Sequence, residues 1–333
     1  MLKLAFKPCI KNACIFARVI TITKPAIMTA QRFFLGIGIF ILLVLAFSGA
    51  HAQEKQPSVL KLSGSYYFPE TKVQPVCDYL SEKLDIPVQA EGFASTKQLN
   101  NQLKNKTVHL AFLNPYSYVL AKELVKHIEP MVVLGNDAGP YTYHSCIIAN
   151  PHARVHSMKA LKQKAGMIDF SFVHATSTSG HIVPRFQLKQ IGLPQAEGRF
   201  NNVEFAGSHA KNIKMVKNGV VHAGACGKPD LQYAKEAGWL KPGDVEVLWT
   251  SHEITGSPLV VQQNLPEDLK NRIERIFLDM HHDNPKLWKF IQNNWQAINP
   301  ERFIEARDSD WDKLRSVADS MDDLVMFLSF YLS

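Results

Sequence analysis

After residue 52 the sequence contains no run of eighteen consecutive apolar residues, so no later segment is predicted to cross a membrane. Cysteine is also scarce, because only Cys77, Cys146 and Cys226 follow residue 52. None of them lies in a Cys-x-x-Cys pair, which argues against a zinc or dithiol site of that type. Three thiols allow one disulfide at most in an oxidising compartment, and their spacing does not choose the pair. A buried, unpaired thiol is predicted for at least one of them.

Acidic residues are missing from the first 52 positions. This segment holds six of the chain's 37 Lys and Arg residues and none of its 30 Asp and Glu residues. The formal net charge of +7 therefore arises almost entirely there, and the rest of the chain is nearly neutral. A basic surface for nucleic acid is not predicted.

Residues 1–52 have the pattern of an export signal. Arg32 precedes an apolar run over 33–47, which suits a signal-peptide core and is short for a membrane span. Ala50 and Ala52 then stand at the −3 and −1 positions of an Ala-x-Ala cleavage site. We predict a signal peptide over 1–52, with Met28 as an alternative start. The mature chain would reach the periplasm without a lipid anchor, because no Cys lies at the cleavage point.

Motifs of common enzymes and cofactor sites are missing as well. The hydroxyl residues 177–179 lack the first glycine of a Gly-x-Ser-x-Gly nucleophile turn. The Gly-Lys pair at 227–228 is followed by proline and does not complete a Walker phosphate loop. The adjacent His281 and His282 cannot direct both rings at one metal ion from a helix. We therefore predict no enzyme activity, no cofactor and no metal site.

Strand and helix patterns alternate along the mature chain. Strands separated by helices predict an α/β fold with a mostly parallel sheet, whose ligands bind at the carboxyl ends of the strands. The predicted strands cover residues 59–65, 87–90, 108–113, 145–149 and 167–172, and the predicted helices cover residues 71–84, 95–104, 158–164 and 182–191.

The stretch His174-Ala-Thr-Ser-Thr-Ser-Gly-His181 lies between a predicted strand end and a predicted helix. A helix N-terminus presents unpaired N–H groups and a partial positive charge. Ser177, Thr178 and Ser179 therefore either cap the helix or surround a tetrahedral oxyanion. The local pattern leaves both interpretations open.

Five short motifs occur together in an order and approximate spacing that match a known family. They are Asn114-Pro-Tyr-Ser-Tyr118, Tyr143-His-Ser-Cys-Ile-Ile148, Ser177-Thr-Ser-Gly180, Gly207-Ser-His209 and Ser257-Pro-Leu-Val-Val261. Over roughly residues 57–310 the chain resembles the phosphonate-binding type of periplasmic solute-binding protein. Members of that group bind phosphonate, phosphite and related phosphorus oxyanions.

The resemblance implies a particular α/β fold, that of a type II periplasmic binding protein. Two α/β lobes would be joined by a hinge, with the ligand cleft between the lobes. Lobe 1 would comprise residues 53–142 and 255–333, and lobe 2 would comprise residues 143–254.

The resemblance also implies a set of ligand-binding residues. In such proteins the Ser-Thr-Ser turn and the histidine of the Gly-Ser-His motif hold the oxyanion, and tyrosines from the other lobe close the site. A cationic histidine there would make affinity rise as the pH falls. For each tyrosine, packing at a strand end is the alternative. On the matching positions the implied residues are Ser177, Thr178, Ser179, His209, Tyr66, Tyr116 and Tyr118.

The stretch Val220–Gly227 departs from the family pattern. In members that bind aminoethylphosphonate, acids in this region meet the ammonium group of the ligand, whereas His222 and Gly227 stand at the corresponding positions here. Oxyanions with uncharged substituents are therefore expected to bind better than aminoethylphosphonate, unless Asp230 supplies the missing carboxylate.

The function implied by the resemblance is capture of a small phosphorus oxyanion by a monomeric periplasmic protein that serves an ABC permease. A ligand-sensing subunit of the same fold, working with a membrane sensor kinase, is the alternative. Both use the cleft and both need a partner surface, so the sequence does not separate them.

Overall fold

The computed structural model of the chain describes residues 56–65, 68–93, 95–295 and 300–320. The predicted signal peptide and Tyr66 lie outside these residues. Within the described part, no helix combines the length and the apolar character needed to cross a bilayer.

Strands form where apolar residues alternate or run together. In the strand over residues 145–149, for example, Ile147 packs into the core on one face of its sheet and Ile148 into the core on the other, as the two-residue period of a strand requires. In chain order the strands of the described residues are β1 (Leu60–Gly64), β2 (Val88–Glu91), β3 (Leu110–Phe112), β4 (Ile128–Asn136), β5 (Gly139–Pro140), β6 (Thr142–Tyr143), β7 (Ser145–Ala149), β8 (Asp169–Phe172), β9 (Asn202–Phe205), β10 (Ala223–Gly227), β11 (Glu246–Thr250), β12 (Ile254–Thr255), β13 (Pro258–Gln262) and β14 (Arg302–Glu305).

Several helices begin at a polar residue that accepts a hydrogen bond from a free N–H of the first turn. The predicted cap Ser95 is confirmed, because its hydroxyl accepts from the N–H of Gln98 at 3.1 Å. The α-helices of the described residues are α1 (Glu70–Leu84), α2 (Thr96–Lys104), α3 (Pro115–Leu124), α4 (Met158–Gln163), α5 (Val183–Gln190), α6 (His209–Lys217), α7 (Lys228–Glu236), α8 (Glu267–Asp283), α9 (Pro285–Asn294) and α10 (Asp312–Asp319).

The strands form two large sheets. The first sheet has the order β14-β4-β13-β3-β1-β2, with β5 paired to β4, and the second has the order β11-β7-β10-β8-β9. Helices cover both faces of each sheet: α1, α8 and α9 share one core with the first sheet, and α2, α3 and α10 share another. The short strands β6 and β12 pair with each other outside both sheets, close to the two points where the chain passes from one sheet to the other. The predicted lobe boundaries near 143 and 255 remain a prediction.

The expectation of mostly parallel sheets is wrong. Parallel pairing is confined to β2-β1-β3 in the first sheet and to β10-β8-β9 in the second. The pairs of β13 with β3 and β4, of β14 with β4, and of β7 with β10 and β11 are antiparallel. In the first sheet, the antiparallel strands β13 and β14 come from late in the chain and pair with β3 and β4. Strand–helix alternation in the sequence does not reveal such an insertion.

All three cysteines beyond residue 52 are free and buried. Cys146 and Cys226 lie opposite each other on the antiparallel strands β7 and β10. The backbone N–H of Lys228 donates to the carbonyl of His144, two residues beyond this pair on each strand. Cys146 and Cys226 are therefore opposed residues whose backbone groups are hydrogen-bonded to each other.

Candidate functional site

A cleft with about 800 Å³ of space, open solvent at its mouth included, lies where strand ends of the two large sheets approach each other. Asn114 follows β3, Ser179 follows β8, His209 follows β9 and Asp230 follows β10, as expected for polar residues at the carboxyl ends of strands. The polar side chains that line the cleft include Lys72, Asn114, Tyr143, Ser179, His209 and Asp230.

The three residues of the predicted Ser-Thr-Ser turn have three different roles. Residues Thr178–Ile182 form a π-helical turn ahead of α5. Ser177 caps this turn, since its hydroxyl accepts from the N–H of Gly180 at 3.1 Å. The hydroxyl of Thr178 donates to Asn114 Oδ1 at 3.1 Å and accepts from the N–H of Tyr116 at 2.9 Å. Thr178 therefore ties the turn to the start of α3, and Ser177 stabilises the turn itself.

Ser179 is the member of the turn that lines the cleft. Its carbonyl accepts from the Ser145 hydroxyl at 2.7 Å, which holds the backbone of the turn against β7. A Cβ added at Gly227 would lie 3.2 Å from Ser179 Oγ and 2.5 Å from Asp230 Oδ2. A side chain at Gly227 would thus clash with the Asp230 carboxylate and crowd the Ser179 hydroxyl.

His209 lies on the same wall of the cleft, as the first residue of α6. Its Nδ1 accepts from the N–H of Gly227 at 2.9 Å and lies 3.4 Å from Asp230 Oδ2. Burial lowers the pKa of the imidazole, and the Asp230 carboxylate partly opposes this effect. Because an Nδ1 that accepts from Gly227 carries no proton, the structure argues against the cationic histidine expected from the sequence. The neutral ring carries its proton on Nε2, which lies 3.5 Å from Ser177 Oγ.

Neither described tyrosine of the predicted set lines the cleft. Tyr116 and Tyr118 are buried in the core between α3 and α10. The ring of Tyr118 packs edge-on against Trp311 with centroids 4.8 Å apart, and its hydroxyl donates to Asp308. Both side chains therefore have the packing role that the sequence left open as the alternative, and Tyr66 lies outside the described residues. The predicted binding set as a whole stays a prediction.

Several cleft residues were not assigned from the sequence. Tyr143, Asn114 and Ser257 belong to the matched motifs, and each lines the cleft. Burial raises the pKa of the Tyr143 phenol, while the hydroxyls of Ser179 and Thr178 act in the opposite direction as hydrogen-bond partners. The motifs alone could have indicated these three positions.

Lys72 lines the cleft from the first turns of α1, and no motif marks it. Burial lowers the pKa of its ammonium group, and the charge of Asp230 acts in the opposite direction. The cleft is therefore lined by one ammonium and one carboxylate in addition to the hydroxyl of Ser179. Hydrogen-bond donors and a cation favour an oxyanion, whereas a carboxylate favours a ligand that can donate a hydrogen bond.

Two buried histidines next to this site affect how the free energy of unfolding depends on pH. His181 Nδ1 donates to the carbonyl of Ala175 at 2.6 Å, and its Nε2 accepts from Arg185 Nε at 2.7 Å. Burial, with Arg185 adding to it, holds the pKa of His181 well below its usual value of 6.5, and burial also lowers the pKa of His209. The unfolded chain therefore binds more protons than the folded chain below about pH 6.5.

We expect the free energy of unfolding to fall as the pH decreases from about 7.5 to about 5.5, because the folded state holds both imidazoles neutral while the unfolded state protonates them. Urea denaturation at several pH values measures this loss. A free energy of unfolding that stays constant or rises over the same range contradicts the prediction. His181→Asn should reduce the slope with pH, even though the loss of its two hydrogen bonds lowers stability at the upper end.

A family model described as "ABC transporter, phosphonate, periplasmic substrate-binding protein" matches residues 69–311. The chain belongs to this family. Membership implies a periplasmic location and a role in binding solutes rather than in catalysis. Within the described residues, no group of three or more His, Cys, Asp or Glu side chains is arranged to hold a metal ion.

Individual relatives in this family are distant. The chain is 26% identical over 223 residues to the phosphate-import protein PhnD of Mycolicibacterium smegmatis, covering 64% of this chain and 68% of that protein. It is 20% identical over 251 residues to a probable ABC transporter phosphite-binding protein, PhnD1 of Prochlorococcus marinus, covering 74% of this chain and 82% of that protein. The structure is similar to that of Prochlorococcus marinus PhnD1 in complex with methylphosphonate, with a TM-score of 0.67, 21% identity, and coverage of 80% and 99% of the two chains. The type II periplasmic binding protein fold predicted for this family member is therefore confirmed.

Proposed function

We propose that this chain binds a small phosphorus oxyanion of the phosphonate type in the cleft and delivers it to an ABC permease. The observation that carries the proposal is the convergence of Ser179 and His209 on one wall of a cleft that Lys72 also lines. The first two residues come from motifs thirty residues apart, and an oxyanion between them and Lys72 would gain charge-assisted hydrogen bonds.

The family match supports transport over sensing, because its description is that of an ABC transporter component. In this proposal residues 1–52 are removed as a signal peptide and the mature protein works as a monomer without catalysis. Closure of the two sheets around the ligand would exclude water from the oxyanion.

The test uses protein purified from the periplasmic fraction, with its first residue read by N-terminal sequencing. Calorimetry and thermal denaturation are carried out with phosphate, phosphite, methylphosphonate, aminoethylphosphonate and sulfate. A true ligand at a hundredfold excess over Kd stabilises the folded state by about 2.7 kcal/mol. The proposal is wrong if no phosphorus oxyanion raises the melting temperature, or if sulfate raises it as much as the best of them.

A further inference from the structure

The cleft has a second end, which is apolar. Five side chains form this aromatic end, and all come from the first sheet or from segments that pack on it. They are Phe68, Phe112, Leu134, Trp295 and Phe303.

The rings of the aromatic end are packed against one another. The centroids of Phe112 and Trp295 are 4.6 Å apart at an interplanar angle of 70°, and those of Phe68 and Trp295 are 5.2 Å apart at 79°. Edge-to-face pairs of this kind are favourable and fix the ring orientations. The four rings are between 1% and 7% exposed. Because the rings are held in place by their neighbours, the aromatic end is a preformed wall.

The aromatic end offers no hydrogen bond from its own side chains to a ligand. Its one polar side-chain atom is Trp295 Nε1, which donates to the carbonyl of Lys72 at 3.3 Å. Leu134 and Phe303 are direct cross-strand neighbours on β4 and β14. An ammonium group placed among these carbons would lose its hydration without compensation, whereas an alkyl or aryl group would be removed from water favourably.

We propose that the cleft selects phosphonates whose organic substituent is apolar and contains several carbon atoms. This inference rests on the proposed function, because the phosphonate group must occupy the end that holds Ser179 and His209. The substituent then extends toward the opposite, aromatic end of the same cleft. Asp230 stays beside the oxyanion, where it meets a proton of the ligand and not its substituent.

The experiment measures Kd by calorimetry for methyl-, ethyl-, propyl-, butyl- and phenylphosphonate. Affinity is expected to increase about fourfold for each added methylene until the aromatic end is filled. The sharpest comparison is between propylphosphonate and 2-aminoethylphosphonate, which differ by a methyl group in place of an ammonium. We expect propylphosphonate to bind at least about tenfold more tightly.

Two variants test whether the aromatic end causes the increase in affinity with chain length. Leu134→Phe places a larger side chain at the aromatic end, so it should abolish the gain in affinity from methylphosphonate to butylphosphonate. Leu278→Phe is the matched control, because Leu278 is also a half-buried leucine packed against the same core but does not line the cleft. It should retain the full chain-length series.

The outcomes separate this inference from the function on which it rests. If methylphosphonate binds but affinity does not rise with chain length, or if 2-aminoethylphosphonate binds more tightly than propylphosphonate, the apolar subsite is wrong and oxyanion capture stands. If phosphate or phosphite binds but no phosphonate does, the apolar subsite is wrong and oxyanion capture stands. If no phosphorus oxyanion binds, both are wrong. Should Leu134→Phe fail to fold, the ligand series on the unmodified protein still decides the matter.

Discussion

Ser179→Ala is expected to weaken methylphosphonate binding about tenfold to hundredfold, because a buried charged acceptor that loses one hydrogen bond costs about 1.5 to 3 kcal/mol. The melting temperature should hardly change, since the hydroxyl of Ser179 faces the cleft while its backbone is held by Ser145. Calorimetry and thermal denaturation of the same preparation measure the two effects.

Ser177→Ala is the matched control, since it removes the same hydroxyl from a neighbouring position that caps the turn. Loss of a cap costs about 1 kcal/mol of stability, and we expect its effect on Kd to be smaller than that of Ser179→Ala. Thr178→Val should also act on stability, through the lost bonds to Asn114 and Tyr116. If Ser177→Ala weakens binding as much as Ser179→Ala, or if Ser179→Ala lowers stability in proportion to affinity, the assignment of the contacting hydroxyl is wrong.

Asp230→Asn is expected to remove most of the dependence of ligand binding on pH above neutrality. The Asp230 carboxylate, which lies 3.4 Å from His209 Nδ1, can only accept a hydrogen bond. It therefore favours an oxyanion that still carries a P–OH proton and repels one that has lost it. For the unmodified protein, affinity for methylphosphonate should therefore fall by up to about tenfold per pH unit above the second pKa of the ligand. An amide donates as well as accepts, so the variant should bind both forms.

Asp268→Asn is the matched control for this prediction. Asp268 lies in the first turn of α8, as Asp230 lies in the first turn of α7, but it is exposed and does not line the cleft. Its replacement should leave the dependence on pH unchanged. Sulfate has no proton to donate near neutral pH, so it should bind the unmodified protein at least about tenfold more weakly than phosphate and should gain affinity in Asp230→Asn. An affinity that does not vary with pH in the unmodified protein would contradict the prediction.

The order of strands and helices could be predicted because it depends on local patterns. The nine elements predicted from periodicity are all present, and their ends differ from the prediction by no more than two residues. The direction of pairing could not be predicted for β13 and β14, because nothing local states where a returning segment enters a sheet. Ser179 and His209 were predicted because they lie in motifs whose order and approximate spacing match those of the family. Both residues line the cleft.

The remaining site residues depend on contacts between distant parts of the chain. Whether Thr178 faces a ligand or a neighbouring helix is decided by Asn114, which lies 64 positions away. Lys72 and Asp230 act on each other across the cleft from α1 and α7, and no spacing rule relates them. The sequence offered Asp230 as a possible source of a carboxylate, but only the structure shows that its carboxylate occupies space left by the missing side chain of Gly227.

The π-helical turn Thr178–Ile182 determines how α5 is rotated about its axis relative to β8. A wide turn of this kind amounts to one extra residue in an otherwise α-helical path, and one residue corresponds to about 100° of rotation about a helix axis. The buried residue Leu188 fixes the orientation of α5 on the second sheet, so the extra residue is absorbed ahead of it. The direction of the Ser179 hydroxyl is therefore independent of the rotation of α5 about its own axis. If one residue were deleted from the turn, the side chain of Ser179 would point in a different direction, although α5 would keep its packing on the second sheet.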